Sequence, residues 1–154
     1  MRIAALYVSP GHNYFGRHGL APGEHPVVAV PKVECVAGRG LLGDRFLDYK
    51  EDYAGQITFF AGEVYDGICQ ALNCADRPAA VFRRNVLTRG ADLNSLIGQE
   101  FEVQGVRFLG TRECSPCFWM DRAFAPGAEA WLKGRGGLRA RILSSGWLKV
   151  DASC

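Results

Sequence analysis

The sequence contains no apolar run long enough to cross a membrane and carries almost no net charge. The run IAALYVS, which follows Met1 and Arg2, is far shorter than the roughly 18 residues of a spanning helix and too short for a secretory signal. The formal net charge of +2 is too small to indicate a nucleic-acid partner. We therefore expect a cytoplasmic protein that binds neither membrane nor nucleic acid and keeps its cysteines reduced.

Lysine is scarce, so arginine supplies most of the positive charge. Lysine occurs only at Lys32, Lys50, Lys133 and Lys149. Arginine suits bidentate binding of phosphate or carboxylate, although a GC-rich genome would give the same bias. The composition therefore allows an anionic ligand without requiring one.

A disulfide framework is also missing. A chain of 154 residues buries about two-thirds of its unfolded surface, so it needs no disulfide to fold. We predict a single domain over residues 1–154. The cysteines lie at positions 35, 69, 74, 114, 117 and 154, a spacing that matches no recognisable disulfide pattern.

Short strand-like segments outnumber helical ones. Residues 2–8 predict a first strand, and VVAVPKVECVAG predicts a long strand with a bulge or an edge at Pro31. The segment AAVFRRNVLT is also strand-like, and hairpins are predicted about Gln104–Gly105 and Ser145–Gly146. Residues 61–72 are apolar at helical spacing and predict the main helix. This pattern favours a mainly β fold, a barrel or a sandwich, over a sheet built from βαβ units.

The motif CSPC, residues 114–117, is the strongest chemical signal and admits several interpretations. Cys114 and Cys117 have the spacing of a zinc knuckle, and Cys69 and Cys74 could supply a second pair of ligands for a tetrahedral site. Cys69, however, fits the predicted helix as a small buried apolar residue. We therefore expect the Cys69–Cys74 pair to lie far from CSPC, which argues against a zinc site.

The three histidines fall in one loop rich in glycine and proline. His12, His18 and His25 could be metal ligands, but their loop shows no metal-binding pattern. Hydrogen bonding within the loop, or simple surface exposure, explains them as well. The sequence therefore assigns them no role.

Two further interpretations of CSPC are a redox pair and a soft-metal or sulfur-carrying thiolate. A thioredoxin-like pair needs its first cysteine at a helix N-terminus, whereas Cys114 follows a predicted strand and no βαβ pattern surrounds it. A thiolate beside Arg112 and the apolar Phe118 and Trp119 suits molybdenum or a persulfide. The spacing of the motif does not decide among these interpretations.

Several segments, taken in order, resemble the MOSC domain, which is named for the C-terminal domain of molybdenum-cofactor sulfurase. The resemblance runs nearly from end to end of the chain and is greatest to small stand-alone bacterial members. Each motif is weak by itself, and their common order carries the resemblance. The segments are SPGHNYFGRHG with PGEHPVVAV, GRGLLGDRF, YAGQITFF, FRRNVLTRGADLNSLIGQEFEVQGVRF, CSPC and GRGGLRARILSSGWLKVDA.

The resemblance implies a closed or nearly closed β-barrel of the pyruvate kinase β-barrel group, with a few short helices. It also implies a role in binding a molybdenum–pterin cofactor or in carrying sulfur. In relatives such as the mitochondrial amidoxime-reducing component, the second cysteine of a Cys-Ser-x-Cys stretch ligates molybdenum. That position corresponds to Cys117, with Ser115 beside it. An Arg-x-Asn segment of those relatives helps to hold the pterin phosphate and corresponds to Arg83 and Asn85, whose side chains suit such contacts.

Two domains of these relatives have no counterpart in the sequence. The amidoxime reducers have an additional N-terminal β-barrel that supplies basic contacts to the cofactor, and the cofactor sulfurases have a pyridoxal-phosphate desulfurase domain. We therefore expect any pyridoxal phosphate to belong to a partner cysteine desulfurase. Reduction of a substrate would likewise need an electron-transfer partner.

Three functional hypotheses follow. In the first, Cys117 is a permanent thiolate ligand and the metal reduces N-hydroxylated compounds. In the second, Cys117 accepts a sulfane sulfur from a desulfurase and passes it on. The non-enzymatic rival is a module that binds an anionic small molecule through Arg45, Arg83 and Arg84. Cys114 is either a packed thiol or the resolving partner of Cys117.

We predict one pocket that unites the separated segments GLLGDRF, FRRNV and ECSPC. On a strand, alternation would place Arg83 and Asn85 on one face, toward Cys117, and Arg84 on the other. Asp44 is expected to line the pocket, although it could equally cap its turn. The predicted site residues are Cys117, Cys114, Arg83, Asn85, Ser115, Asp44 and Arg45.

Overall fold

A computed structural model describes residues 1–12, 25–74 and 76–153 of the chain. Strands dominate these residues, which confirms the mainly β class, and they form a seven-stranded and a three-stranded sheet. Short 3-10 helices lie at Ala79–Phe82 and Leu93–Leu96. The strands are β1 (Arg2–Val8), β2 (Val28–Val30), β3 (Lys32–Val36), β4 (Gly40–Leu41), β5 (Ile57–Ala61), β6 (Val86–Arg89), β7 (Glu100–Val103), β8 (Val106–Glu113), β9 (Leu138–Ile142) and β10 (Gly146–Lys149). The α-helices are α1 (Gly62–Ala71), α2 (Trp119–Ala123) and α3 (Ala128–Leu132).

The large sheet has the strand order β2-β1-β6-β5-β9-β8-β7. β5 and β6 are parallel because α1 lies in the crossover between them, and the other neighbours are antiparallel. β5 lies at the centre and is buried on both faces: Ile57 and Phe59 enter one core and Phe60 the other. Double burial explains why this strand is a continuous apolar run without alternation.

Pro31 divides the long strand predicted over VVAVPKVECVAG. Proline has no N–H to contribute to a strand ladder. Before it, β2 pairs with β1, with Val30 opposite Leu6. After it, β3 pairs with β10, with Lys32 opposite Lys149. The chain therefore passes from the large sheet to the small sheet, whose order is β10-β3-β4, at this residue.

The described strands do not close into a barrel, so the predicted closed or nearly closed barrel is not confirmed. The edge strands β2 and β7 of the large sheet are not paired with each other in the described residues. The reason lies in the connections, because β3 and β10 leave the large sheet and pair together. They cover one of its faces instead of bridging its edges. The core between the sheets joins Val33, Cys35 and Leu148 to Ile57 and Phe59.

The helices cover the opposite face of the large sheet. The main helix predicted over residues 61–72 is confirmed as α1, which buries Ile68. It packs with Phe82, Phe124 and Leu132 over Phe60 to form a second core. None of the described helices is long and apolar enough to span a membrane.

Two predicted elements are wrong and one hairpin is confirmed. AAVFRRNVLT is not a continuous strand, because residues 83–85 lie between the 3-10 helix at Ala79–Phe82 and β6. Residues 138–149 are not a hairpin, because β9 joins the large sheet and β10 the small one. β7 and β8 do form the predicted hairpin, since Gln104 and Gly105 both have positive φ in a tight two-residue turn.

Candidate functional site

Two neighbouring cavities lie beside CSPC in the described part of the chain. The larger, called here the Cys117 cavity, has a volume of ≈ 250 Å³. The smaller, called the Arg139 cavity, has a volume of ≈ 100 Å³. Both are lined by Arg45, Phe46, Arg83 and Arg84. The first is further lined by His12, Cys117, Trp119 and Met120, and the second by Tyr53, Thr58, Cys114 and Arg139.

The two thiols of CSPC line different cavities. The motif follows β8, where the N–H of Cys114 donates to the carbonyl of Gly137 (2.8 Å). Cys114 is 5% exposed and lines the Arg139 cavity, whereas Cys117 is exposed and lines the Cys117 cavity just before α2. A Cβ atom at Gly136 would lie 2.3 Å from the Cys114 carbonyl oxygen, so glycine permits this close approach. Of the two predicted thiols, Cys117 is the accessible one.

Arg84 ties together the segments around CSPC. Its Nε donates to the carbonyl of Gly136 (3.0 Å), Nη1 to that of Phe82 (2.9 Å) and Nη2 to that of Cys114 (3.1 Å). Strand alternation predicted that Arg84 points away from the pocket, yet it lines both cavities. That prediction is wrong because residues 83–85 precede β6 and do not alternate as a strand does.

Arg83 adopts a left-handed backbone conformation (φ 58°) at the end of the 3-10 helix. Few residues other than glycine do so, and here the side chain makes several bonds. Its guanidinium donates to Ser9 Oγ and to the carbonyls of Gly11 (2.8 Å) and His25 (3.2 Å). Arg83 thereby joins the segment after β1 to the cavity wall. The structure brings Arg83 and Cys117, two of the three residues predicted to share a pocket, to one cavity.

Asn85 is buried and lines neither cavity, so it does not open on the same concavity as Arg83 and Cys117. Its Oδ1 accepts from the backbone N–H and from the hydroxyl of Thr58, both at 3.0 Å. Its Nδ2 donates to the carbonyl of Tyr7 (3.2 Å) and to Asp44 Oδ1 (3.3 Å). Both ends of the amide are therefore used inside the protein.

Ser115 is exposed and lines neither cavity. The resemblance places it beside the metal ligand. In the structure it is adjacent in sequence to the buried Cys114, and no hydrogen bond of its hydroxyl occurs within the described residues. The geometry gives it no defined contact at the site.

Asp44 is the centre of a buried hydrogen-bond network, which agrees with the turn-capping alternative. It lines neither cavity. Its carboxylate is 0% exposed and carries the charge that faces Arg45. It accepts from the backbone N–H groups of Ser9 (2.9 Å) and Phe46 (3.2 Å), from Asn85 Nδ2 (3.3 Å) and from Arg45 Nη1 (3.3 Å).

Arg45 is a largely buried cation at the boundary of the two cavities. Its guanidinium lies over the Phe46 ring, 4.6 Å from the centroid. Burial lowers the pKa of Arg45, Asp44 opposes that shift, and repulsion from Arg84 adds to it. Arg45 and Arg84 both lie at the boundary of the two cavities, whereas the Asp44 carboxylate is the negative group that contacts Arg45, so positive charge is in excess there.

The MOSC domain sequence model matches residues 42–154, a segment that contains Asp44, all the cavity-lining arginines and CSPC. The chain belongs to the MOSC domain family. This family is associated with molybdenum-cofactor binding or sulfurase-like function.

Solved structures share the fold of this MOSC domain. YuaD protein from Bacillus subtilis is 16% identical with a TM-score of 0.73, covering 97% of this chain and 91% of that one. YiiM from Escherichia coli is 16% identical with a TM-score of 0.68, covering 98% of this chain and 67% of that one. YiiM from Geobacillus stearothermophilus is 17% identical with a TM-score of 0.68, covering 96% and 70%. No curated protein matches the chain significantly.

His12 is a cavity residue of this MOSC domain to which the sequence assigned no role. It lines the Cys117 cavity with its ring centroid 5.0 Å from that of Phe46. Burial lowers the pKa of His12, and the charge of Arg45 lowers it further. Of the other two histidines, His25 contributes its carbonyl to Arg83, and His18 lies outside the described residues. No spacing pattern in the loop could have singled out His12.

Arg139 and Tyr53 were also not foreseen. Arg139 lies on β9, opposite Thr58 of β5 and Arg112 of β8. Tyr53 is buried beside it, in the loop before β5. The only sequence signal was the alternation of Arg139 and Arg141 along GLRARI, which is equally typical of a solvent-facing strand.

Within residues 1–12, 25–74 and 76–153, Cys35, Cys69 and Cys74 do not assemble a metal cage with CSPC. The described residues contain no group of three or more His, Cys, Asp or Glu side chains able to hold a metal ion. Cys69 and Cys74 pack at the edge of the helical core. Cys35 lies in the core between the sheets, where burial raises its pKa to about 12. The site offers an exposed thiol beside arginines rather than a closed cluster of ligands.

Proposed function

We propose that this MOSC domain binds an anionic ligand in the Cys117 cavity and that the Cys117 sulfur bonds to a soft centre. That centre is either the molybdenum of a pterin cofactor or a sulfane sulfur. One observation carries the proposal: an exposed cysteine shares its cavity with Arg45, Arg83 and Arg84. Thiolates suit molybdenum and persulfide chemistry, and arginine forks suit phosphate.

The chemistry of the cavity wall fits such a group. Arg84 donates to carbonyls, and Arg45 faces the single carboxylate of Asp44 at 3.3 Å. An anionic ligand would compensate the positive charge that these contacts leave. Trp119 and Met120 supply an apolar side that suits a flat heterocycle. The two cavities together reach the lower end of the usual ligand-pocket range of about 300–1,000 Å³.

Each part of the wall has a separate role in this proposal. Arg45 and Arg84 bind the anionic end of the ligand, while Arg83 fixes the neighbouring loop through Ser9. Cys117 holds the soft centre. When bound, a molybdenum–pterin cofactor would supply the redox chemistry, and the electrons would come from a partner protein.

The sulfur-carrying alternative needs only Cys117 and a partner persulfide, such as that of a cysteine desulfurase. The Cys117 thiolate attacks the outer sulfur of the donor persulfide. A new S–S bond forms on Cys117 as the S–S bond of the donor breaks, and the donor cysteine leaves as a thiolate. No outside oxidant or reductant is required, because one sulfur atom simply changes carrier.

Metal analysis and intact mass of protein from a molybdenum-replete host test the proposal. We expect either molybdenum with pterin or an adduct of about +32 Da, the mass of one sulfur. Cys117→Ser should abolish whichever is found, Cys114→Ser should retain at least part of it, and Cys74→Ser, outside both cavities, serves as the matched control.

Loading that survives in Cys117→Ser would refute the role of this thiol. Equal loss from Cys114→Ser and Cys117→Ser would indicate a dithiol mechanism instead. If wild-type protein carries neither molybdenum nor added sulfur but retains an anion, the protein is a binding module that uses the arginines without covalent chemistry.

A further inference from the structure

The Arg139 cavity is built from arginines that come from distant parts of the chain. Arg45 follows β4, Arg83 and Arg84 precede β6, and Arg139 lies on β9. The pairing of β8 with β9 shifts register between Gly110 and Arg112, next to the position of Arg139. Irregularities of this kind are common where a sheet turns a side chain toward a site.

Positive charge is poorly compensated in this cavity. In the described chain, the Arg139 guanidinium makes no hydrogen bond or ion pair. Arg84 donates three of its five N–H groups to neutral carbonyls. Arg45 contacts Asp44, but that carboxylate also accepts from three other donors. Four arginines line this one small space, and placing like charges so close together costs free energy unless an anion occupies it.

The remaining walls of the cavity suit a small polar ligand. Tyr53 lies beside Arg139, and its hydroxyl can donate a hydrogen bond. The Cα of Gly55 leaves the space between them open, since a Cβ atom there would lie 3.3 Å from the Tyr53 ring and 3.4 Å from Arg139 Cδ. The Cys114 side chain forms another part of the wall.

The size of the cavity restricts its occupant. Its ≈ 100 Å³ is less than half of the ≈ 250 Å³ of the Cys117 cavity and well below the roughly 300–1,000 Å³ of pockets that hold drug-sized ligands, so it suits a small oxyanion. A pterin is too large for it. The occupant must therefore be small, strongly anionic and able to accept several N–H donors at once.

We propose that the Arg139 cavity is a second anion subsite, specific for a small oxyanion such as inorganic phosphate or sulfate, or the terminal oxyanion group of a substrate. This subsite extends the function proposed for the Cys117 cavity. It rests on that proposal only because Arg45 and Arg84 line both cavities. The ligand of the Arg139 cavity is thus a small anion that does not bond to Cys117. The ligand of the Cys117 cavity is the one that does.

Calorimetric titration with inorganic phosphate and with sulfate at low ionic strength tests the subsite. Wild-type protein should bind at least one of these anions. Arg139→Gln should weaken that binding about tenfold or more, because it removes a charged fork. Arg141→Gln is the matched control, since Arg141 lies two residues further along β9 and pairs with Asp52 at 2.9 Å, outside both cavities. The control should bind within about twofold of wild type.

Two further variants separate the proposals. Cys117→Ser should keep phosphate or sulfate binding even if it loses molybdenum or sulfur loading, so the two ideas fail independently. Arg139→Lys keeps the charge and the aliphatic stem and should show a smaller loss than Arg139→Gln, which excludes misfolding as the cause. The subsite is refuted if wild-type protein binds neither anion, or if Arg139→Gln and Arg141→Gln bind equally well.

Discussion

Replacement of Asn85 by alanine separates a structural role from a ligand-binding role. The Asn85 side chain is buried and bonded at both ends to Thr58, Tyr7 and Asp44. Asn85→Ala removes these bonds and leaves the Thr58 N–H and the Asp44 carboxylate each without one partner. A buried polar group that loses its partner costs about 1–3 kcal/mol. The Thr58 hydroxyl can rotate, so we count two such groups and expect a loss of about 2–6 kcal/mol.

Urea unfolding followed by tryptophan fluorescence measures this loss directly. For a domain of this size, about 2–4 °C of melting temperature corresponds to each kcal/mol, so the melting temperature should fall by roughly 4–24 °C. Asn94→Ala is the matched control, because the exposed Asn94 makes one side-chain hydrogen bond, to the carbonyl of Gly134 (2.8 Å). Its cost should stay below about 1 kcal/mol. If Asn85→Ala is as stable as wild type yet fails to bind anions, Asn85 contacts the ligand and the structural interpretation is wrong.

The remaining predictions concern reactivity, packing and pH. Iodoacetamide should modify Cys117 before Cys114, as peptide mass mapping can show, because Cys117 is exposed and Cys114 is buried; faster modification of Cys114 would contradict the assignment of the accessible thiol. Arg84→Lys should lower the free energy of unfolding by about 1–3 kcal/mol, since lysine cannot donate to three carbonyls in a planar fork; an unchanged urea midpoint would refute this. Burial lowers the pKa of His12 from 6.5, so the unfolded chain binds this proton at a higher pH than the folded protein does. Unfolding free energy should therefore fall as the pH drops below about 6.5, and His12→Gln should reduce that slope; equal slopes for the two proteins would exclude His12 as the cause.

The parts of the fold that sequence predicted correctly have local causes. Helical spacing over residues 61–72 gives α1, two positive-φ residues at Gln104–Gly105 give the tight hairpin, and the missing N–H of Pro31 gives the strand break. Which strands share a sheet is not a local property. Residues 138–149 have the pattern of a hairpin, yet β10 pairs with the distant β3. Alternation fits either arrangement, so sequence alone could not distinguish them.

The candidate site was likewise predicted only in part from the sequence. Sequence reasoning singled out Arg45, Arg83 and Cys117, the last two by resemblance, and the structure places all three at the Cys117 cavity. The sequence did not indicate correctly which side chains of FRRN face the cavities, because a 3-10 helix and a left-handed residue replace the expected strand there. Arg84 therefore faces the cavities and Asn85 is buried. Phe82, the last residue of that 3-10 helix, packs against Phe60 and Phe124, and a single sequence does not reveal such contacts.

The pairing of β3 with β10 has a consequence for synthesis on the ribosome. β3 emerges early, but its partner is available only after residues 146–149 have left the exit tunnel. Until then the nascent chain carries an unpaired strand edge and an uncovered apolar face that includes Val33, and such surfaces promote association between chains. Once the chain is complete, the segment after β10 also bonds to β1, because Ile3 and Asp151 exchange hydrogen bonds of 2.6 and 2.9 Å. Ribosome-stalled chains that end before residue 146 are therefore expected to be the species that chaperones must shield.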